Sequence, residues 1–538
     1  MMANALTEIP WIRALDKSGV SHLTLVDVLK RSHEAGFFLD KNVPGYVFGA
    51  QFRLLRDVLA VVLRFHPDYQ QGEEQDLSED LLADGVPEMA LEKGLEKLAA
   101  CADIFSATNP FLQRPVAPMA HPKDSARLLE AGKQPVKKLL PAMPSDQGED
   151  FWNLSVAQGE TLDLPQAVLH LAIHHHYSMA GNNTYDGFKC AMGAPGVRFL
   201  GKGFAATEIF WGGESLLESL LQSLPKSWVE GDGLPAWCDR EGKTTLRSDG
   251  SEHPLWRGTW SSNTAACHWE ERQLTGVRIG GAPDTWFLPT MGTTKESQKA
   301  WWDQRNTEDL MYLYIPNQQG EQKAQRVDFG RDATDLAVEW AAESKVEKAK
   351  LHKAAAFFSK DYAPLNFIRH QIEGTASSPS IRATQVYTPD PQRWVFDASE
   401  GLQERIVQRA TLIRDLHSLV CSPFRRKNEN DKKRELEGKT VAVLETLEDL
   451  KNDASASFWR EITPVYIDLI HQNTTEDEVI SQDTRADTFA AAIRAFDVVT
   501  LAYKNQDRAQ FEFVRGSLES RLRWRLRTVA DTSEKEGS

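Results

Sequence analysis

Phe489 to Tyr503 reads FAAAIRAFDVVTLAY, with Phe489, Ile493, Phe496, Thr500 and Tyr503 recurring every three or four residues. That is the spacing of one face of an α-helix, so this stretch predicts an amphipathic helix whose apolar stripe seeks a partner. Three neighbouring stretches repeat the pattern: Ile406, Ala410, Ile413, Leu416 and Val420; Phe458, Ile462, Val465 and Leu469; Phe511, Val514, Leu518 and Leu522. Four such helices satisfy one another best as a bundle, expected over residues 396–538. Pro464 should kink the second helix, and Arg521, Arg523, Arg525 and Arg527 give the last one a basic face. Arg425 to Lys439 reads as an exposed charged stretch.

Residues 1–395 have a different grain. Ile9 to Ile12 reads as a short strand, Thr24 to Ala35 as a helix with Leu25, Val28 and Leu29 inward, and Gln51 to Phe65 as a strongly apolar helix. Glu73 to Asp84 looks like an acidic link before a helix over Glu88 to Phe105. Glu230 to Glu252 reads as a surface insertion, Met291 to Ala300 as a polar loop, and Gly374 to Gln392 as a proline-bearing junction. A β-like region around Trp256, Trp260, Trp269 and Trp286, a strand over Leu310 to Ile315 and a helix over Asp335 to Ser359 complete the pattern. The expected class is α+β: a large mixed α/β N-terminal domain followed by the helical bundle.

Composition narrows the function. The 538 residues exceed what one core usually serves, and a net charge of −15 argues against a free-standing binder that gains its affinity from phosphate neutralisation. Contact with nucleic acid would have to be local or assisted by partners. No apolar run approaches the length that spans a bilayer, so the chain is expected in the cytosol without a membrane partner. Cys101, Cys190, Cys238, Cys267 and Cys421 are scattered and never in CxxC spacing, which suggests neither disulfides nor a thiolate metal site. No cofactor is implied: Gly201 to Ala206 fits GxGxxA formally, but no alternation of strands and helices surrounds it.

Chemistry-bearing residues concentrate in Ala180 to Phe204, AGNNTYDGFKCAMGAPGVRFLGKGF. Asn182, Asn183, Thr184, Tyr185, Asp186 and Gly187 are turn formers that present carboxamides, hydroxyls and bare N–H groups, and Phe188 and Lys189 add an anchor and a cation. The stretch suits a readable polyanion, and it also suits an ordinary polar surface turn. Phe151 and Trp152 sit at the mouth of a polar loop, where aromatics either stack on bases or are simply buried. His170 and His174 share a helix face at i, i+4, a zinc-compatible spacing without the glutamate of HExxH. Read as ligands, they would make a metal-dependent nuclease or hydrolase; read as core, they are buried imidazoles.

Several short motifs then fall in a telling order: IPWI at 9–12, NPFLQ at 109–113, KKLLP at 137–141, DGFK at 186–189, PLWRGTW at 254–260 and PLNFI at 364–368, before the four helices. In this order the chain resembles the CasA family, the large subunit of the type I-E CRISPR surveillance complex Cascade. The resemblance implies a non-enzymatic subunit that works with other Cascade subunits and CRISPR RNA. It would read a protospacer-adjacent motif from the minor groove of double-stranded DNA, start strand separation and recruit a helicase-nuclease. It places the family's glycine loop on Asn183 to Gly187, though most of the glycines are replaced. The lysine finger falls on Lys295, with Lys299 second, and the wedge on Thr375, Ala376 and Ser377, where the Asn-Gln pair of some members is missing. Phe151 takes the place of the aromatic that reaches toward the guide's 5′ handle.

Overall fold

The computed structural model describes residues 2–71, 74–115, 133–142, 161–179, 184, 185, 187–189, 193–198, 205–247, 250–312, 314–316, 322–324, 335, 338, 352, 354–360, 363–375, 378–388, 400–428, 435, 440–471 and 480–533. The chain divides into two compact units, Met1–Val327 with Leu351–Tyr387, and Asp328–Lys350 with Thr388–Ser538. The boundary expected at 395/396 lies outside the described residues, and the second unit also takes in Asp328–Lys350, which the sequence reading left in the first domain.

The first unit opens with β1 (Ile12–Asp16), β2 (Gly19–Leu23), α1 (Leu25–Arg31) and β3 (Phe38–Leu39), the strands forming an antiparallel sheet in the order β2-β1-β3. Thr24 caps α1 by accepting the Asp27 N–H, and Leu25, Val28 and Leu29 are its buried residues, as their spacing predicts. Next come α2 (Gly45–Leu63), α3 (Glu74–Asp84) and α4 (Glu88–Leu98). The acidic stretch expected as a link is therefore helical: Leu77 and Leu81, four apart, are fully buried and give α3 one apolar edge.

α2 is buried along nearly its whole length, which explains its apolar run and poses a problem for Arg53 and Arg56. Both are compensated. Arg53 donates to Glu208 (Nε–Oε1 2.8 Å) and to Asp309 (Nη1–Oδ2 2.6 Å), and Arg56 donates to the other Asp309 oxygen at 2.8 Å. Burial alone would raise the Asp309 pKa, but the two guanidiniums hold it well below the usual carboxylate range.

The unit continues through α5 (Leu164–Tyr177), the hairpin β4 (Thr184–Tyr185) and β5 (Phe188–Lys189), β6 (Glu208–Trp211), α6 (Leu216–Ser223) and α7 (Pro254–Thr259). It then forms the antiparallel pair β7 (Asn263–Glu270) and β8 (Gln273–Gly281), helix α8 (Lys295–Glu308), and the long hairpin β9 (Leu365–Thr375) and β10 (Ser378–Tyr387). β9 is the middle of the sheet β10-β9-β6.

Three further expectations need correction here. The segment Glu230 to Glu252 is no surface insertion: Trp237 is buried and donates to Asp57, and Arg64 donates to the carbonyls of Trp228, Val229 and Gly233. Cys101 and Cys238 form a disulfide, their Cα atoms 5.1 Å apart across a sequence separation of 137, so spacing along the chain could not reveal it. Gly374, Thr375 and Ser378 to Tyr387 belong to a hairpin, not a junction loop; Pro379 is tolerated because β10 is an edge strand.

In the second unit, α9 (Glu400–Cys421), α10 (Lys451–His471), α11 (Gln482–Lys504) and α12 (Arg508–Ser533) pack around one core of Ile406, Ile413, Leu416, Phe458, Ile462, Phe496, Val514 and Leu518. Pro464 lies inside α10. Asp335 is buried here, accepting from Arg414 Nε at 3.0 Å and from the Tyr466 hydroxyl at 3.0 Å.

Candidate nucleic-acid interface

The β4–β5 hairpin pairs Thr184 with Lys189 and Tyr185 with Phe188, leaving a two-residue connection at 186 and 187. Asp-Gly is the favoured composition for such a connection because the turn needs positive φ, and Gly187 has φ +78°. Thr184 and Gly187 are exposed, while Tyr185 is buried. Asn182, Asn183 and Asp186 lie outside the described residues, as do Phe151 and Trp152; of Lys189 only the backbone is described. The hairpin rests on β8. Arg278 Nη2 donates to Thr184 O at 3.2 Å, and the Arg114 guanidinium lies 4.7 Å from the Tyr185 ring and 5.4 Å from that of Phe188. The sequence reading missed Arg114, which sits 71 residues before Tyr185 and carries no local signal of its role.

Lys295 and Lys299 are not on a loop. They lie in the first two turns of α8, where Thr294 accepts the Ser297 N–H and Ser297 returns a bond to the Thr294 N–H, closing a reciprocal cap. Being four apart they share a helix face, and both are exposed. The opposite side of α8 is locked: Trp301 packs with Trp256 and Trp260 and donates to Glu252 at 2.7 Å, while Arg305 donates to Trp260 O at 2.9 Å. The polar sequence hid this helix because only Trp301, Arg305 and Asn306 are buried on it.

Thr375 ends β9 opposite Ser378; its side chain, Ala376 and Ser377 lie outside the described residues. The base of that hairpin is fixed from below. Glu208 Oε2 accepts the Tyr177 hydroxyl at 2.8 Å and lies 3.1 Å from His370 Nε2, and His370 Nδ1 lies 2.9 Å from Thr384 Oγ1. The candidate residues thus sit on three supports: β8 under the short hairpin, the tryptophan cluster under α8, and the Glu208 network under β9–β10.

His170 and His174 are buried residues of α5. Burial pushes both imidazoles down to about 4, so they are neutral at physiological pH. Among the described residues no group of three or more His, Cys, Asp or Glu side chains is placed to hold a metal ion. No helix among them is long and apolar enough to cross a membrane.

The model of the CRISPR-associated protein Cse1 family matches residues 5–497. The chain belongs to the Cse1 family. Its fold is similar to that of Thermus thermophilus CasA (TM-score 0.62, 16% identity, 99% of this chain and 100% of that one). It is also similar to Thermobifida fusca Cse1 (TM-score 0.63, 16% identity, 98% of each chain) and to a chain of a CRISPR RNA-guided surveillance complex (TM-score 0.65, 16% identity, 97% of this chain and 99% of that one). A search of curated proteins gives no match.

Proposed function

We propose that this Cse1-family chain is the non-catalytic large subunit of a CRISPR RNA-guided surveillance complex. In it the chain reads a short motif flanking the target in double-stranded DNA, helps to start strand separation and recruits a helicase-nuclease. The family match over residues 5–497 carries the reading. The geometry supports it. A tight turn displays Thr184 and Gly187, and a rigidly backed helix displays Lys295 and Lys299; both are small enough or long enough to enter a minor groove. The acidic total charge fits a subunit that meets nucleic acid alongside partners rather than alone.

The test is reconstitution with the other subunits and a guide RNA, followed by binding to duplexes that differ only in the flanking bases. The complex should discriminate between flanks and cleave nothing by itself. Lys295→Ala should weaken duplex binding by about five- to tenfold, the scale of one lost groove contact, with assembly intact. Equal affinity for every flank, or DNA cleavage by the purified chain, would end this reading; a loss with Lys299→Ala and none with Lys295→Ala would move the finger one turn along α8.

A further inference from the structure

A hairpin whose strands are two residues long has too few ladder bonds to hold its own position, so the placement of β4–β5 must come from what it rests on. Arg114 is a support that touches both of its strands. Its backbone N–H donates to Ala265 O at 2.8 Å, which stitches it to β7, and its side chain is buried. From there the guanidinium reaches across both hairpin strands, facing the rings of Tyr185 on one and Phe188 on the other. Nη1 also approaches Tyr185 O at 3.5 Å and Gly281 O at 3.4 Å, so one cation spans β4, β5 and the end of β8. Gly280 completes the seat: a Cβ there would overlap the backbone N and Cβ of Tyr185, so the hairpin lies directly on the β8 backbone.

We infer that Arg114 is a positioning residue for flank recognition: it sets the height and angle at which the 184–189 hairpin meets nucleic acid, from a buried place beneath it. The inference rests on the reading of that hairpin as the recognition loop. Lysine cannot replace a planar guanidinium that meets both rings and both carbonyls, because its ammonium is a point charge on a flexible stem. Reading depends on fixed geometry, whereas phosphate attraction does not, so the two can be separated by experiment.

The experiment uses the assembled, guide-loaded complex and duplexes that vary only in the flank, and it scores the ratio of affinities for a preferred and an unfavourable flank. Arg114→Ala and Arg114→Lys should each compress that ratio by at least about fivefold, within the range of coupling between residues in contact. The salt dependence should stay unchanged, since no phosphate contact is removed. Placed on a background of Asn183→Ala with Thr184→Ala, the Arg114 changes should add no further compression, because they act through the same loop. Should Arg114→Ala fail to assemble, Arg114→Lys and Phe188→Leu carry the test, the latter removing one of the two rings that the guanidinium meets. An unchanged ratio in the Arg114 variants, beside a compressed ratio in the loop variant, overturns the inference and leaves the recognition reading standing. Additive losses also overturn it, by making Arg114 a general stabiliser. No compression in the loop variant itself removes the recognition reading, and the inference goes with it.

Discussion

Glu208 shows how much one residue can organise. It is fully buried, accepts from Arg53 and Tyr177, and meets His370 of β9, so three separate stretches of chain converge on one carboxylate. Buried charges of this kind are weak evidence for net stability, since their desolvation offsets much of the attraction. Breaking the set is another matter, because it takes the acceptor from Arg53 Nε and Nη2 and leaves the single Asp309 carboxylate between two buried guanidiniums. Glu208→Ala should destabilise the first unit by about 3–5 kcal/mol, read as a lowered denaturation midpoint with unchanged slope. Glu208→Gln, which keeps the shape and loses the charge, should cost nearly as much; a loss below about 1 kcal/mol would mean that water reaches the network.

Among the elements, α12 sharpens what the sequence suggested. Residues two apart on a helix point about 200° away from each other, so the four arginines form two stripes rather than one basic face. Arg525 is tied to Asp415 at 2.6 Å and Arg521 lies over the Trp524 ring at 4.5 Å, whereas Arg523 and Arg527 are exposed along a groove with Gly516, Ser520 and Trp524. Arg523 lies 5.1 Å from the centre of the Phe489 ring and 3.7 Å from Glu519, the latter a loose ion contact that a phosphate can displace. Arg523→Gln with Arg527→Gln should therefore lower the affinity of the assembled complex for all duplexes alike and flatten its salt dependence by roughly one unit per lost phosphate contact. A changed flank preference would count against this role, and no change at all would leave the arginines as solvating charge. The helices of the second unit were legible because Phe489, Ile493 and Phe496 fall on one face and are at least partly buried. α8 was not, because its surface is mostly polar and its apolar contacts come from Trp256 and Trp260, far back in the chain. The candidate site followed the same rule. The turn formers up to Gly187 announced a turn, whereas the two short strands beside it, and Arg114 and Gly280 that seat them, depend on contacts that are local only in three dimensions.

At the scale of the whole molecule, the two units should respond differently to acid. The first holds His170, His174, His175 and His253 in its interior, where burial pushes them down to about 4, 4, 3 and 4, and His176, which burial and the neighbouring His175 push down further. Unfolded, each would titrate near 6.5, so between pH 6.5 and 4 the unfolded chain binds more protons than the folded one. Stability is therefore fully present above about pH 6.5 and falls as the pH drops toward 4, by on the order of 1–2 kcal/mol per histidine at pH 5. Asp57 works the other way. Burial raises it to about 7 despite Arg56, so it favours the folded state in acid, but it is one group against several. Thermal unfolding of the full chain at pH 7.5, 6 and 5 should show the transition of the first unit moving steadily down while that of the second moves less. His176→Leu should flatten the response, since both of its ring nitrogens are buried with no hydrogen-bond partner and an apolar group of similar size loses no hydrogen bond there. A first-unit transition that stays put between pH 7.5 and 5 would mean that these imidazoles gain compensating partners on protonation, and the buried row of α5 would then be polar machinery rather than core.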